Sequence, residues 1–134
     1  KVLGDVVKGI HTIINYSSTL DTPGNKKFVA DWAKAYPGGA PTNFQGETYL
    51  GMQVIFQAVK KAGSVKPADV AKAMSGGTFE TILGTQVMRK EDNQLVGPNY
   101  FGTVEAVSGT LQPVVKMTVP AQAATPAPDG SCKL

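Results

Sequence analysis

The stretch ETYLGMQVIFQAVKKAG, residues 47–63, decides the fold. It is the longest segment with a helical period, because its apolar residues recur mostly three or four positions apart and share one broad face. Those residues are Leu50, Met52, Val54, Ile55, Ala58, Val59 and Ala62. The pattern predicts a helix of about four turns that packs into a hydrophobic core.

The two ends of this helix carry different signals. Lys60 and Lys61 lie in the predicted last turn, where cations complement the negative end of the helix dipole, and Gly63 follows where a left-handed cap is favoured. Glu47 and Tyr49 lie in the predicted first turn, at the positive end of the dipole. That end is a favourable place for an anion or a ligand carboxylate.

Composition limits the classes of function. The chain has 134 residues, 17% of them charged, and a net charge of +3, and this length is enough to bury a core. Its basic residues are scattered in ones and twos, whereas a nucleic-acid surface needs them clustered on one face. The apolar runs are far shorter than the roughly 20 residues that span a bilayer. The sequence therefore favours neither a nucleic-acid surface nor a membrane-spanning segment.

The rest of the chain divides into helices and strands. Spacing predicts helices over residues 25–36, with Asn25 as the N-cap, and over residues 67–74. Strand patterns cover residues 10–16, 85–89, 100–107 and 114–119, with a hairpin turn at 108–110. From Pro120 onward the chain is rich in Ala and Pro, which predicts an extended or disordered tail unless something holds it. Helices in the first two thirds and strands in the last third predict a mixed α/β fold.

Residues that carry chemistry are sparse. His11 lies within a predicted strand with no cysteine or second histidine near it, so a polar strand position explains it better than a metal site. The sequence contains no G-x-S-x-G motif, P-loop or dinucleotide fingerprint. Glu91 and Asp92 form an acidic pair in a predicted turn, where they are solvated. We therefore expect no enzyme activity, no metal and no cofactor.

Four segments, taken in order, resemble a known family. They are FVADWAKAY (28–36), ETYLGMQVIFQAVKKAG (47–63), VAKAM (70–74) and ILGTQVMRKEDNQL (82–95). Together they resemble the C-terminal part of the type I periplasmic solute-binding proteins, and more narrowly the branched-chain amino acid (Leu/Ile/Val) receptors of ABC transporters. The sequence departs from that group at Leu50, where many relatives carry Asp.

The resemblance implies two α/β lobes joined by hinge crossings, of which this chain would be about the last third. Residues 1–18 would end a segment of the second lobe and make a hinge crossing, and residues 19–81 would give the first lobe three helices. Residues 82–119 would cross back and add the C-terminal strands of the second lobe, before a Pro/Ala-rich tail at 120–134. We expect the chain to be a fragment of such a receptor, whether produced by proteolysis or made as a separate subunit.

The resemblance also implies four ligand-binding candidates: Tyr49, Tyr16, Asn15 and Glu47. Tyr49 would face the cleft between the lobes, where its ring could stack on a solute and its hydroxyl could hydrogen-bond. The alternative is a core tyrosine packed against Phe44 or Phe56. For the other three candidates, a structural role is the simpler explanation.

The implied function is that of the periplasmic, extracytoplasmic solute-binding component of an ABC importer. It would bind a small amino acid or related organic acid between its lobes and deliver it to a membrane permease. Because Leu50 replaces an acidic residue, the ammonium group of an amino acid would lack one partner, which leaves aromatic and aliphatic acids as further candidates. The alternative class is a small stand-alone α+β interaction domain without catalysis.

The fragment hypothesis has two consequences. The first and last strands would pair with strands outside this chain, so the isolated chain should expose edges and apolar surface and be dimeric, aggregated or bound to the rest of its receptor. Cys132 is the single cysteine, and an odd cysteine in an exported chain suggests a partner elsewhere. We expect a disulfide between Cys132 and the N-terminal part of the receptor.

Overall fold

The longest helix begins earlier than its sequence pattern indicates. The computed structural model describes residues 3–107 and 109–130, and in it helix α2 covers Asn43–Ala62 and ends at Gly63, whose left-handed backbone (φ 60°) confirms the predicted cap. Thr42 and Gln45 form a capping box, in which each side chain accepts a hydrogen bond from the other residue's backbone N–H. Glu47 and Tyr49 therefore lie in the second turn, and the prediction that they occupy the positive end of the helix is wrong.

Helix α1 covers Pro23–Ala35, and its cap also differs from the prediction. Pro23 opens the helix, and the hydroxyl of Thr22 accepts a hydrogen bond from the backbone N–H of Asn25 at 3.1 Å. Thr22 is therefore the N-cap, and Asn25 is not. Helix α3, Pro67–Met74, has the bounds that the sequence predicts.

The described strands form two antiparallel sheets. In one, β5 (Asn99–Val107) lies between β1 (His11–Ile14) and β6 (Thr110–Val119). In the other, β3 (Gly84–Met88) lies between β2 (Thr78–Thr81) and β4 (Leu95–Val96). The first and last strands thus both pair with β5, and the expectation that they also pair with strands outside this chain stays a prediction. Within residues 3–107 and 109–130, the outer edges of β1 and β6 carry no further strand.

Two clusters of buried side chains hold these elements together. One comprises Tyr16, Leu20, Phe28, Ile82 and Tyr100, and the other comprises Val54, Ala58, Phe79 and Met88. Leu50 packs against both clusters. Full burial of a large apolar side chain is worth about 1.5–3 kcal/mol, so these clusters are the main source of stability. The mixed α/β class is confirmed.

Side chains of α2 also hydrogen-bond the edge of β2. The amide of Gln57 accepts from the backbone N–H of Glu80 at 3.1 Å and donates to its carbonyl at 2.7 Å. The amide oxygen of Gln53 accepts from the backbone N–H of Ile82 at 2.9 Å. These bonds occupy backbone groups that an edge strand would otherwise leave exposed, and they fix α2 over the sheet.

The C-terminal segment is more ordered than its composition predicts. Residues Ala121–Ala124 form the one-turn helix α4, and the guanidinium of Arg89 donates to the carbonyl of Pro126 at 2.7 Å. The sequence predicts an extended or disordered tail unless something holds it, and Arg89 holds this segment as far as Pro126. Cys132 lies outside the described residues, so its disulfide stays a prediction. None of the helices in the described ranges is both long and apolar enough to cross a bilayer.

Candidate functional site

The structure separates the four predicted ligand residues into three places. Asn15 and Glu47 line one cleft, Tyr49 lies in a groove between α1 and α2, and Tyr16 lies in the core. The four side chains thus do not form a single site. We name the first location the polar cleft and the second the aromatic groove.

The polar cleft has a volume of about 370 Å³ and lies between the first half of α2 and the strands that pass beneath it. Its lining residues are Asn15, Glu47, Leu50, Leu83, Gln86, Gln94, Leu95, Gly97, Pro98, Asn99, Ala124, Thr125 and Pro126. Glu47 is the single charged side chain among these residues. The cleft therefore presents one carboxylate, several side-chain amides and apolar walls, a combination suited to a small zwitterion or acid.

The side chain of Asn43 orients Glu47. Its amide nitrogen donates to Glu47 Oε1 at 3.0 Å, and its amide oxygen accepts from the backbone N–H of Tyr16 at 3.1 Å. Asn43 begins α2, so the early start of this helix brings the amide between the loop after β1 and Glu47. The Glu47 carboxylate is thereby held at the cleft while it keeps acceptor capacity for a ligand.

Gln86, Gln94 and Asn99 were not among the predicted site residues. Gln86 is buried on β3, where the hydroxyl of Thr81 donates to its amide oxygen at 3.1 Å. A polar residue at the inward phase of an alternating strand was a signal that could have found Gln86. Gln94 and Asn99 flank the short strand β4. No spacing in the sequence indicates that they line the same cleft as Glu47.

Tyr16 belongs to the core in this structure. Its side chain is 1% exposed, and its buried hydroxyl has no hydrogen-bond partner among the described residues. Burial raises the pKa of this phenol, so it stays protonated at neutral pH. The ring packs beneath Gly46 of α2, where an added Cβ would come within 2.2 Å of it. A ligand role for Tyr16 stays a prediction.

Tyr49 lies in the aromatic groove, which has a volume of about 550 Å³. Its ring is 45% exposed and stacks on Phe28 with the ring centroids 4.3 Å apart. Trp32 and Phe44 line the same groove. At its rim, a hydrogen bond from Lys27 lowers the pKa of the Asp31 carboxyl. A ligand role for Tyr49 likewise stays a prediction.

Metal-binding groups do not converge in the described part of the chain. Over residues 3–107 and 109–130, no three histidine, cysteine, aspartate or glutamate side chains are placed to hold an ion. His11 is exposed on β1, and its ring stacks on that of Phe101 with the ring centroids 5.4 Å apart. Its Nδ1 atom lies 3.1 Å from the hydroxyl oxygen of Thr103, within hydrogen-bond distance.

The chain is therefore of the mixed α/β class. Helix α2 and the strands beside it form a cleft of small-molecule size that is lined by both polar and apolar side chains. Comparison with known proteins gives the family. The family model described as periplasmic binding protein matches residues 1–110, and the chain belongs to this family.

Individual relatives agree with this assignment. The chain is 36% identical over 73 residues to the Leu/Ile/Val-binding protein homolog 6 of Brucella abortus (strain 2308), an alignment that covers 54% of this chain and 18% of the relative. It is 35% identical over 86 residues to the Leu/Ile/Val-binding protein homolog 1 of the same strain, an alignment that covers 62% of this chain and 22% of the relative. The chain thus matches about a fifth of the length of these curated relatives.

Solved structures show the same fold. The closed form of a leucine-, isoleucine-, valine-, threonine- and alanine-binding protein from Brucella ovis matches with a TM-score of 0.81 and 20% identity, over 98% of this chain and 36% of that one. A second match is an ABC-transporter solute-binding protein from Rhodopseudomonas palustris BisB5, solved in complex with 3,4-dihydroxybenzoic acid. Its TM-score is 0.77 and its identity 29%, over 88% of this chain and 32% of that one. The type I periplasmic-binding-protein fold is therefore confirmed, and this chain spans about a third of it.

Proposed function

We propose that this chain is part of the extracytoplasmic solute-binding component of an ABC importer, which delivers its solute to a membrane permease. The observation that carries the proposal is the family match over residues 1–110. A periplasmic location accords with that family. The remaining two thirds of the fold would come from the rest of the same receptor, because the solved relatives are about three times as long as the part they share with this chain.

The assignment of segments to lobes belongs to the same proposal. Residues 1–18 and 82–119 would serve the second lobe, residues 19–81 the first, and residues 120–134 the tail. β5 pairs with both β1 and β6, so strands from residues 1–18 and 82–119 share one sheet, which supports their placement in a common lobe, while α1, α2 and α3 lie between them in sequence. β3 and β4, which also lie in residues 82–119, share the other sheet with β2 of residues 19–81.

The proposed solute is a small amino acid or related organic acid that enters the polar cleft. Relatives named for Leu, Ile and Val binding and neighbours solved with 3,4-dihydroxybenzoic or p-hydroxybenzoic acid share a carboxylate among their ligands. The side-chain amides of Asn15, Gln86 and Asn99 line the cleft and supply donors for such a carboxylate.

Glu47 favours an amino acid within that class. The resemblance implies an acidic residue at the position of Leu50, but Leu50 packs against both core clusters and offers no polar group to an ammonium group. The Glu47 carboxylate faces the same cleft one helical turn earlier and is held there by Asn43. It can take over the ion pair with the ammonium group, a charge-assisted interaction that is stronger than a neutral hydrogen bond.

Ligand-observed saturation-transfer NMR tests the proposal on the 134-residue chain with leucine and 4-hydroxybenzoate as probes. We expect transfer to leucine, and about tenfold weaker leucine binding in Glu47→Gln, the loss typical of one hydrogen bond to a charged group. Binding of 4-hydroxybenzoate should not weaken, because it carries no ammonium group and Glu47→Gln removes a like charge from the cleft. Glu105→Gln, in the exposed ion pair with Lys116, is the matched control. Absence of transfer to both probes would contradict the placement of the solute in the polar cleft.

A further inference from the structure

The segment after β6 crosses the polar cleft and forms one of its walls. Backbone N–H groups of Ala124 and Thr125 donate to the carbonyls of Pro120 and Ala121, both at 2.9 Å, and so close the single turn of α4. Ala124, Thr125 and Pro126 then line the cleft that also contains Asn15 and Glu47. We name residues 120–126 the strap.

One side chain fastens the strap to the body. The guanidinium of Arg89 forms two parallel hydrogen bonds with the carboxylate of Asp92, one of them 2.9 Å from Nε to Oδ1, and its remaining nitrogen Nη1 donates to the carbonyl of Pro126 at 2.7 Å. The side chains of Arg89 and Asp92 are only 18% and 16% exposed. The planar guanidinium is thus fixed by Asp92 and aims its third donor at the strap.

The turn that carries Arg89 is itself well defined. The backbone N–H of Arg89 donates to the carbonyl of Gln94 at 2.8 Å, and Asp92 Oδ1 accepts from the backbone N–H of Gln94 at 3.1 Å. Asn93 between them adopts a left-handed backbone (φ 54°), which asparagine tolerates better than most residues. Gln94 and Leu95 of the same segment line the cleft, so the fastening point and this part of the cleft wall belong to one hydrogen-bonded turn.

We propose that the strap is a size filter of the polar cleft and that Arg89 is the residue that positions it. The filter would admit single amino acids and acids of similar size and exclude bulkier ligands such as peptides. Its role in solute selection rests on the proposed function, but its role as a wall does not.

Thiol labelling measures access to the cleft without any solute. The chain contains one cysteine, so Cys132→Ser combined with Glu47→Cys places a single thiol in the cleft. Its labelling rate is compared for iodoacetamide and for a maleimide carrying a polyethylene glycol chain. Two changes release the strap independently: Arg89→Gln, and an otherwise intact chain that ends at Pro120. Lys90→Ala, an exposed neighbour of Arg89 outside the cleft, is the control.

We expect both releasing changes to accelerate the bulky reagent about tenfold, the change that accompanies loss of a hydrogen bond to a charged group, with little effect on iodoacetamide. Lys90→Ala should change neither rate. The truncated chain keeps the Arg89–Asp92 pair, so it gives a result even if Arg89→Gln folds poorly. If the labelling rates of both reagents rise equally, or if neither rate rises in the truncated chain, the proposal that the strap acts as a size filter is wrong. A failed leucine titration with the expected labelling would instead count against the proposed function alone.

Discussion

Asn25 illustrates how a single buried side chain organises the chain around it. It is fully buried, and its amide nitrogen lies 3.4, 3.2 and 2.9 Å from the carbonyl oxygens of Ser17, Ser18 and Leu20. These carbonyls belong to the loop between β1 and α1. The amide thus satisfies backbone acceptors that no strand or helix serves.

Replacement of Asn25 should therefore loosen this loop. We expect Asn25→Ala to lower the free energy of unfolding by about 1–3 kcal/mol, because the carbonyls of Ser18 and Leu20 lose their side-chain donor. Asn25→Asp should cost at least as much, since an ionised carboxylate cannot donate. Urea denaturation measures both, with the exposed Lys26→Ala as the control. An Asn25→Ala variant as stable as that control would show that the bonds contribute nothing.

Individual residues were predictable where one local signal acted alone. Gly63 had no competitor for the C-cap and was assigned correctly. At the start of α1, Thr22 and Asn25 are both good capping residues, and the sequence did not show that Asn25 would turn inward to the loop. Gln86 could be flagged only as a polar residue at a buried strand position, because its neighbours in the cleft come from distant segments.

Helix α2 contains a matched pair of glycines that tests how closely it packs. A Cβ at Gly46 would lie 2.2 Å from the ring of Tyr16, whereas at Gly51 nothing lies within 4 Å. We expect Gly46→Ala to destabilise the chain by at least about 1–3 kcal/mol, the usual cost of overpacking a core. Gly51→Ala should stabilise it by about 0.5–1 kcal/mol through helix propensity.

Denaturation midpoints of the two variants and the wild type decide the matter. The identical chemical change at two positions of one helix controls for propensity, so the difference between the variants reports the contact with Tyr16. Equal shifts in the same direction would mean that α2 does not press on the Tyr16 ring.

The helices and strands that could be predicted from the sequence are the longer ones and those whose ends carry a capping or breaking residue. Helix α3 has the expected bounds because Pro67 opens it and Ser75 follows it. The start of α2 was placed too late because the capping box of Thr42 and Gln45 lies before the apolar period begins. Strands β2 and β4 are too short for a period-2 pattern to stand out, and only their pairing with β3 defines them.

At the scale of the whole molecule, α2 is apolar on two opposite faces. One face buries Val54 and Ala58 against the β2–β3 sheet. The other carries a stripe of exposed apolar side chains, which includes Phe44 at 77% exposure and Phe56 at 64%. The stripe consists of Phe44, Tyr49, Met52, Ile55 and Phe56. A contiguous exposed apolar patch of this kind is typical of a surface that another protein segment covers.

The three-dimensional arrangement of the elements was the least predictable feature of the molecule. The resemblance, which rests on four segments taken in order, led to the correct family and fold. It did not show that α2 turns Glu47 and Tyr49 to opposite sides, since that depends on where the helix begins and which face meets the sheet. Nor did it show the strap, which depends on the hydrogen bond from Arg89 to the carbonyl of Pro126.

The central claim is that this chain is one part of a larger two-lobed receptor whose remainder covers the second face of α2. Sedimentation equilibrium of the isolated 134-residue chain tests this most directly, with Phe56→Lys in the stripe and Val65→Lys, an equally apolar site in the loop after α2, as its control. We expect the wild type to sediment above its monomer mass of 14.0 kDa, Phe56→Lys to shift toward the monomer, and Val65→Lys to behave as the wild type. A wild-type chain that sediments as a single 14.0 kDa species and melts cooperatively would contradict the claim.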